Sequence, residues 1–125
     1  MKVEEVMNKA IAIEHDISVK EAAQIMSKKN IGSLIILKKD KIAGIITEKD
    51  IMKNISSLDK KISSVMSKNV ITVEHNDSID NAALIITGHK IKRLPVLEKG
   101  KLVGIITATD IVANSDILNE DFLLD

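Results

Sequence analysis

The sequence predicts an α+β fold in which two βαββα repeats, each a small mixed sheet flanked by helices, pack with pseudo-twofold symmetry. Three observations support this prediction. The chain repeats itself, each copy contains a helix with apolar residues at helical spacing, and each copy places an apolar hairpin after that helix. The 125 residues, 45% of them hydrophobic, suffice for one module of ordinary size with a packed core.

The repeat is the strongest of the three observations. Residues 14–52 align with residues 74–112 at a constant offset of 60 without a gap, and 17 of these 39 positions are identical. We therefore expect a first repeat in residues 1–59, a second in residues 60–114 and an acidic tail in residues 115–125. Because about 60 residues bury only a marginal core, the halves are expected to pack together and to leave paired clefts between them.

The local signals predict the same elements in both copies. Ser18 and Glu21 form the capping-box pattern S-x-x-E at the start of the first long helix. In the second copy Asn81 replaces the acid, which predicts a weaker cap. Asp40 and Gly100 suit the left-handed backbone of tight hairpin turns. The other predicted segments are opening helices at 3–8 and 62–67, strands at 10–13, 70–73, 34–37, 42–46, 94–97 and 102–106, and closing helices at 48–54 and 108–114.

Composition argues against several classes of function. Lys+Arg and Asp+Glu both number 18, so the basic excess of a typical nucleic-acid binder is missing. The single aromatic residue, Phe122, offers no set of stacking platforms for bases. The absence of Cys, of a signal-peptide pattern and of a long apolar run predicts a cytoplasmic protein without a membrane span. His15 and His75 lack neighbouring ligands, so we predict no metal site.

One motif occurs twice with chemistry that could bind a ligand. The pattern G-I-I-T-x-x-D-I spans Gly44–Ile51 and again Gly104–Ile111. A carboxylate can accept hydrogen bonds from two vicinal ribose hydroxyls, and a Thr hydroxyl at a helix N-terminus can face an anion. The same T-x-x-D spacing is also a capping box, which would explain the motif structurally. Both roles are compatible.

The doubled motif, the V-M pair near the start of each copy and the preceding hairpin make residues 3–114 resemble a tandem pair of CBS domains, named from cystathionine β-synthase and often called a Bateman module. The resemblance implies a regulatory module that binds AMP, ADP or ATP, with S-adenosylmethionine as an alternative. It also implies a homodimer of modules and a regulated partner protein in another chain. In such pairs the motif Asp contacts the ribose hydroxyls.

Carrying this resemblance onto the sequence gives two candidate sites. Arg93 could pair with phosphate through its forked guanidinium, so the site of the second copy is predicted to be the stronger. In the first copy Ser33 replaces that arginine, and Lys49 is the alternative source of positive charge. The predicted residues are Thr72, Val73, Arg93, Pro95, Thr107, Thr109 and Asp110 in the second copy, and Ile11, Ile13, Ser33, Thr47, Lys49 and Asp50 in the first.

One alternative to nucleotide sensing stays open at this stage. The divergence of the first copy and the unmatched tail are compatible with a protein-interaction module that does not depend on a ligand. No nucleophile elbow, Walker loop or H-E-x-x-H motif is present, so we do not expect an enzyme.

Overall fold

The computed structural model of the chain describes residues 1–115, so the predicted acidic tail lies outside the described residues except for Ser115. The chain divides into two compact units. The first unit is Ile11–Val70, and the second unit combines Met1–Ala10 with the chain from Ile71 onwards. Each unit contains a three-stranded mixed sheet with helices, which confirms the predicted α+β fold class.

The elements follow the same order in both repeats. The helices are α1 (Val3–Val6), α2 (Val19–Lys29), α3 (Glu48–Lys53), α4 (Ile79–His89) and α5 (Ala108–Ala113). The strands are β1 (Ala12–Ile13), β2 (Ser33–Lys38), β3 (Lys41–Thr47), β4 (Val73–Glu74), β5 (Arg93–Glu98) and β6 (Lys101–Thr107). A 3₁₀ turn spans Ile62–Ser64.

Each sheet combines one parallel and one antiparallel pairing. In the first unit β1 runs parallel to β2, and β2 pairs antiparallel with β3. Strands β4, β5 and β6 repeat this arrangement in the second unit. The two-residue hairpin turns have positive φ at both central positions, which is the primed turn that matches the twist of a hairpin. The prediction for Asp40 (φ 64°) and Gly100 (φ 77°) is confirmed, and Lys39 and Lys99 adopt the same conformation.

The two long helices begin with caps of different chemistry. At α2 the Ser18 hydroxyl accepts from the Glu21 amide, and the Glu21 carboxylate approaches the Ser18 amide in return. At α4 the Ser78 hydroxyl accepts from the Asn81 amide at 3.0 Å. The carboxylate of Asp77 accepts from the Ser78 amide at 2.8 Å and from the Asn81 side chain at 2.6 Å. Asp77 therefore supplies the acid that the second capping sequence lacks.

The opening segments contain less helix than the sequence predicts. Helix α1 ends at Val6, and the second predicted helix is only the 3₁₀ turn. The predicted helices over 3–8 and 62–67 are therefore wrong in their last residues. The reason is a competing sheet contact: Asn8 forms an antiparallel bridge with Ile105 on β6, and Ser67 forms one with Ile45 on β3. Both residues must be extended to make these bridges.

The opening segments are also exchanged between the repeats. Val3, from the start of the chain, is fully buried in the core of the second unit. Ile62, which precedes the second repeat, is fully buried in the core of the first unit. The buried core of the second unit comprises Val3, Val73, Ile79, Ala82, Ile86, Leu94, Val96 and Ile106. That of the first unit comprises Ala22, Met26, Leu34, Ile36, Ile46 and Ile62.

Candidate functional site

In the first unit the motif forms a corner between β3 and α3. Thr47 is the last residue of β3 and the N-cap of α3. Its backbone amide donates to Oδ2 of Asp50 at 2.9 Å, and its hydroxyl lies 3.2 Å from the same oxygen. Oδ1 of Asp50 accepts no hydrogen bond from the described part of the chain. One oxygen of this half-buried carboxylate is therefore open to a ligand.

In the second unit the corner between β6 and α5 forms a complete capping box. The amide of Thr107 donates to Oδ2 of Asp110 at 2.9 Å, and the amide of Asp110 donates to the Thr107 hydroxyl at 3.1 Å. In addition, the side-chain amide of Asn8 donates to Oδ1 of Asp110 at 2.9 Å. The structural explanation of the motif is therefore correct as a description of the corner, and it leaves acceptor capacity on the carboxylate.

The motif glycines admit the opening segments against the sheet. A Cβ atom at Gly104 would lie 2.6 Å from Sδ of Met7 and 2.9 Å from the carbonyl oxygen of Asn8. At Gly44 the corresponding distances are 2.5 Å to Sδ of Met66 and 3.0 Å to the carbonyl oxygen of Ser67. Close backbone approach therefore explains both glycines, and it places the residue after each V-M pair next to the motif.

The sheet register brings part of each predicted site together. Arg93 is the direct cross-strand partner of Thr107, and Ser33 is the partner of Thr47. Side chains of direct partners project from the same face of a sheet about 5 Å apart. Arg93 is half-buried, whereas Ser33 is buried with 7% of its surface exposed. The arginine thus stands beside the motif in the second unit only.

Four of the remaining predicted residues lie in or beside an edge strand. Ile11, Ile13, Thr72 and Val73 lie in or next to β1 and β4, which stand at the edge of their sheets opposite β3 and β6. The carbonyl oxygen of Ile11 already accepts a hydrogen bond from the Ile35 amide at 3.1 Å.

Burial limits what some of these side chains can contact within their unit. Val73 belongs to the core and is 4% exposed, and Pro95 is fully buried. Only the backbone of Val73 could therefore read a ligand. Lys49 and Thr109 are exposed on the first turns of α3 and α5.

Two contacts that the sequence did not reveal fasten the opening segments. In the second unit Nδ1 of His75 lies 2.7 Å from Oε2 of Glu4, and this hydrogen bond raises the pKa of His75 above its ordinary value, with Glu98 and Glu74 adding to the effect. In the first unit Asp16 accepts from the amide and hydroxyl of Ser63, and these bonds lower the pKa of Asp16.

Sequence reasoning also missed Asn8 as a site residue. A signal was present, because Asn8 follows the first V-M pair as Ser67 follows the second, and both V-M pairs match at an offset of 59. Within residues 1–115 no group of three His, Asp or Glu side chains is arranged to hold a metal ion. Over the same range, the chain has no helix with the length and apolar character that a membrane crossing requires.

Comparison with known proteins identifies the family. The model of the CBS domain matches residues 3–57 and again 62–116. The crystal structure of the CBS domain pair of protein MJ0100, in complex with 5′-methylthioadenosine and S-adenosyl-L-methionine, is similar with a TM-score of 0.84 and 34% identity. The alignment covers 90% of this chain and 94% of that one.

Curated relatives are longer proteins. The chain is 36% identical over 112 residues to L-aspartate semialdehyde sulfurtransferase of Methanocaldococcus jannaschii, covering 87% of this chain and 22% of the relative. It is 38% identical over 103 residues to inosine-5′-monophosphate dehydrogenase of Thermoplasma acidophilum, covering 80% and 20%. The chain thus spans about a third or less of the first curated relatives it matches. Both matched halves and the similar domain-pair structure lead to one conclusion: the chain belongs to the CBS domain family, with two CBS domains in tandem.

Proposed function

We propose that this CBS pair is a regulatory module that binds an adenosine-containing ligand at its T-x-x-D corners and thereby modulates a partner protein. The observation that carries the proposal is the carboxylate at each corner. Asp50 and Asp110 are held by the backbone amides of Thr47 and Thr107, so their position is fixed before a ligand arrives. Preorganised acceptors lose little conformational entropy on binding.

The carboxylates are suited to a ribose diol. Each oxygen of an ionised carboxylate has two acceptor sites, and bonds from hydroxyl donors to a charged acceptor are stronger than neutral ones. Asp50 and Asp110 are half-buried, which shields such bonds partly from competing water. A vicinal diol that donates to both oxygens would therefore be anchored in one orientation.

The edge strands offer a place for the base. In the sheet order β1 is separated from β3 by β2 alone, and β4 from β6 by β5 alone. Two strand spacings amount to about 10 Å, a distance that a nucleoside can bridge from ribose to base. The unpaired side of an edge strand presents peptide groups that can read the edge of a purine. We assign this role to the backbone of residues 11–13 and 71–73.

The phosphate-binding residues are proposed from charge and register. In the second unit we assign the phosphate to Arg93, which is the direct cross-strand partner of Thr107. Exposed Thr109 could add a hydroxyl donor, and buried Pro95 would help to shape the ligand site. In the first unit Lys49 is the nearest basic residue in the motif, and Ser33 adds no charge. A phosphorylated ligand is therefore expected to prefer the second unit.

The class of ligand is supported by a relative. The CBS pair of MJ0100, at 34% identity over nearly its whole length, was crystallised with two adenosine derivatives that lack phosphate. Arg93 argues for AMP, ADP or ATP, whereas this relative argues for S-adenosylmethionine or 5′-methylthioadenosine. All five share the adenine and the diol, which are the groups that the corner and the edge strand would bind.

Isothermal titration of the full chain with these five ligands tests the proposal. Binding of at least one is expected, and Asp50→Asn or Asp110→Asn is expected to weaken one site each. The amide keeps an oxygen for the Thr amide but loses the charge, so a loss of about 10- to 100-fold is expected from bonds to a charged group.

Asp40→Asn is the matched control, because Asp40 is an exposed carboxylate on the hairpin turn whose left-handed φ also suits Asn. It should leave every affinity unchanged. If folded wild-type protein binds none of the five ligands, the T-x-x-D pairs are helix caps only and the proposal fails.

Assembly is the second part of the proposal. Large apolar side chains are exposed on α3, α4 and α5: Met52 (70%), Leu84 (71%) and Val112 (56%). Exposed apolar side chains mark a contact with another protein where they form a contiguous patch. We propose that they serve a homodimer of modules or the regulated partner. Sedimentation equilibrium of the chain distinguishes the two, because a species of twice the chain mass supports the homodimer and a monomer leaves these side chains to the partner.

A further inference from the structure

The two T-x-x-D corners differ in what already occupies the carboxylate. Within the described residues, Oδ1 of Asp110 accepts the side-chain amide of Asn8 at 2.9 Å, and Oδ1 of Asp50 accepts nothing. The residue equivalent to Asn8 in the first unit is Ser67. Its short hydroxyl makes no side-chain hydrogen bond in residues 1–115, so the difference arises from one substitution between the repeats.

The position of Asn8 is fixed by its own backbone. Its amide donates to the carbonyl of Ile105 at 2.8 Å, and the amide of Ile105 donates back at 2.9 Å. Met7 lies against Gly104, where a Cβ would come within 2.6 Å of its sulfur. The Asn8 side chain is exposed, but it extends from a clamped backbone two residues from Thr107 along β6. Its contact with Asp110 is therefore a local consequence of the fold.

The same clamp exists in the first unit with a different side chain. The amides and carbonyls of Ser67 and Ile45 exchange two bonds of 3.0 Å, and Met66 lies against Gly44. Thr47 supplies both bonds to the Asp50 carboxylate, and both end on Oδ2. A diol can therefore approach Oδ1 of Asp50 directly, whereas at Asp110 it meets the Asn8 amide on the corresponding oxygen.

We infer that Asn8 makes the two ligand sites unequal: it competes with a ribose diol for Asp110, so a ligand without phosphate fills the Asp50 corner first. This inference rests on the proposed function and refines it. It reverses, for such ligands, the preference for the second unit that Arg93 predicts for phosphorylated ones. Asn8 acts here as a specificity-determining residue that any diol must displace or share.

Exchange of the two residues tests the inference. The probe is 5′-methylthioadenosine, which carries the diol and no phosphate, and AMP is titrated in parallel. Asn8→Ser should tighten the weaker site, and Ser67→Asn should weaken the tighter site, each by about three- to tenfold, the net effect of one hydrogen bond. Asp50→Asn should weaken the tighter site by about 10- to 100-fold, as expected from the loss of the charged acceptor. Urea midpoints of both exchange variants, measured without ligand, check that folding is unchanged.

The outcomes separate this inference from the proposed function. If the tighter site is lost in Asp110→Asn, or if Asn8→Ser weakens binding, Asn8 is no competitor and the inference is overturned while ligand binding stands. Equal sites in the wild type overturn it in the same way. If neither probe binds to any variant, the proposed function fails and the inference fails with it.

Discussion

The two units share a backbone and differ in the side chains that complete it. In both units a residue of the opening segment pairs with the last strand of the sheet, and a methionine lies against the motif glycine. In both units a Thr amide also donates a hydrogen bond to the motif Asp. Asn8 and Arg93 join the corner of the second unit, whereas Ser67 and Ser33 stand at the equivalent positions of the first. Duplication has thus preserved the parts that need main-chain geometry and changed the side chains that we propose to decide the ligand.

The same rule holds for the devices that stabilise each unit. The cap of α2 uses Glu21 inside the helix, and the cap of α4 uses Asp77 before it. The opening segment is fastened by Asp16 and Ser63 in one unit and by Glu4 and His75 in the other. The task at each place is constant, because an unpaired amide or an undocked segment costs stability in either unit. The residue that performs it is free to change.

The largest expected effect comes from breaking the exchange of opening segments. Ile62 is fully buried in the first unit, so Ile62→Ala should lower the free energy of unfolding by about 2–5 kcal/mol through lost burial and the cavity left behind. Amide hydrogen exchange should report faster opening of β2 and β3 than of β5 and β6. Urea unfolding of the full chain gives the total loss.

Val3→Ala and Ile55→Ala are the matched variants. Val3 is equally buried in the second unit, so its truncation should loosen β5 and β6 instead. Ile55 is 59% exposed, and its truncation should change stability little. If Ile62→Ala loosened β5 and β6 preferentially, the assignment of the opening segments to the two units would be wrong.

A smaller loss of stability is expected where the opening segments pass over the motif glycines. Gly44→Ala and Gly104→Ala each place a methyl group within about 3 Å of a methionine sulfur and of a backbone carbonyl, which cannot rotate away. Each variant should lose about 1–3 kcal/mol of stability, measured by urea unfolding. The two losses should be similar, because this part of the architecture is the same in both units.

Gly88→Ala provides the internal control. Nothing lies within 4 Å of a Cβ at this helical position, so alanine should stabilise the protein by about 0.5–1 kcal/mol. If Gly44→Ala and Gly104→Ala were no more destabilising than Gly88→Ala, the opening segments would not press on the sheets.

The sequence alone predicted the elements whose signals are local. Capping patterns and turn chemistry predicted the N-caps Ser18 and Ser78 of the long helices and the hairpin turns at Asp40 and Gly100. Periodicity predicted the α+β class. The structure confirms all of these predictions. The repeat made the family recognisable, and the CBS domain match confirms it.

What the sequence did not predict depends on contacts far apart along the chain. The ends of the opening helices were misjudged because sheet pairing to Ile45 and Ile105 overrides helix propensity. Asn8 lies 102 positions from Asp110, and no local pattern links them. Asp77 escaped notice as a cap partner because the capping-box pattern looks for the acid three residues after the Ser.

The smallest effect is a pH dependence confined to one unit. The hydrogen bond to Glu4 raises the pKa of His75 in the folded state, and Glu98, with Oε1 3.5 Å from Nε2, favours the same charge. The stabilisation is therefore fully present below the unfolded-state pKa of about 6.5 and is lost as pH rises through the folded-state pKa. Urea midpoints should fall between about pH 6 and pH 8 more steeply in the wild type than in His75→Gln.

His15→Gln is the matched control, because His15 occupies the equivalent position in the first repeat and has no ion pair within residues 1–115. It should keep the slope that His75→Gln loses. Glu4→Gln should flatten the slope as well, since it removes the partner and keeps the histidine. Equal slopes of urea midpoint against pH for the wild type and His75→Gln would mean that the contact between Glu4 and His75 does not help to hold the segment that carries Asn8. The bridge between Asn8 and Ile105 would then be the main attachment of this segment near the motif.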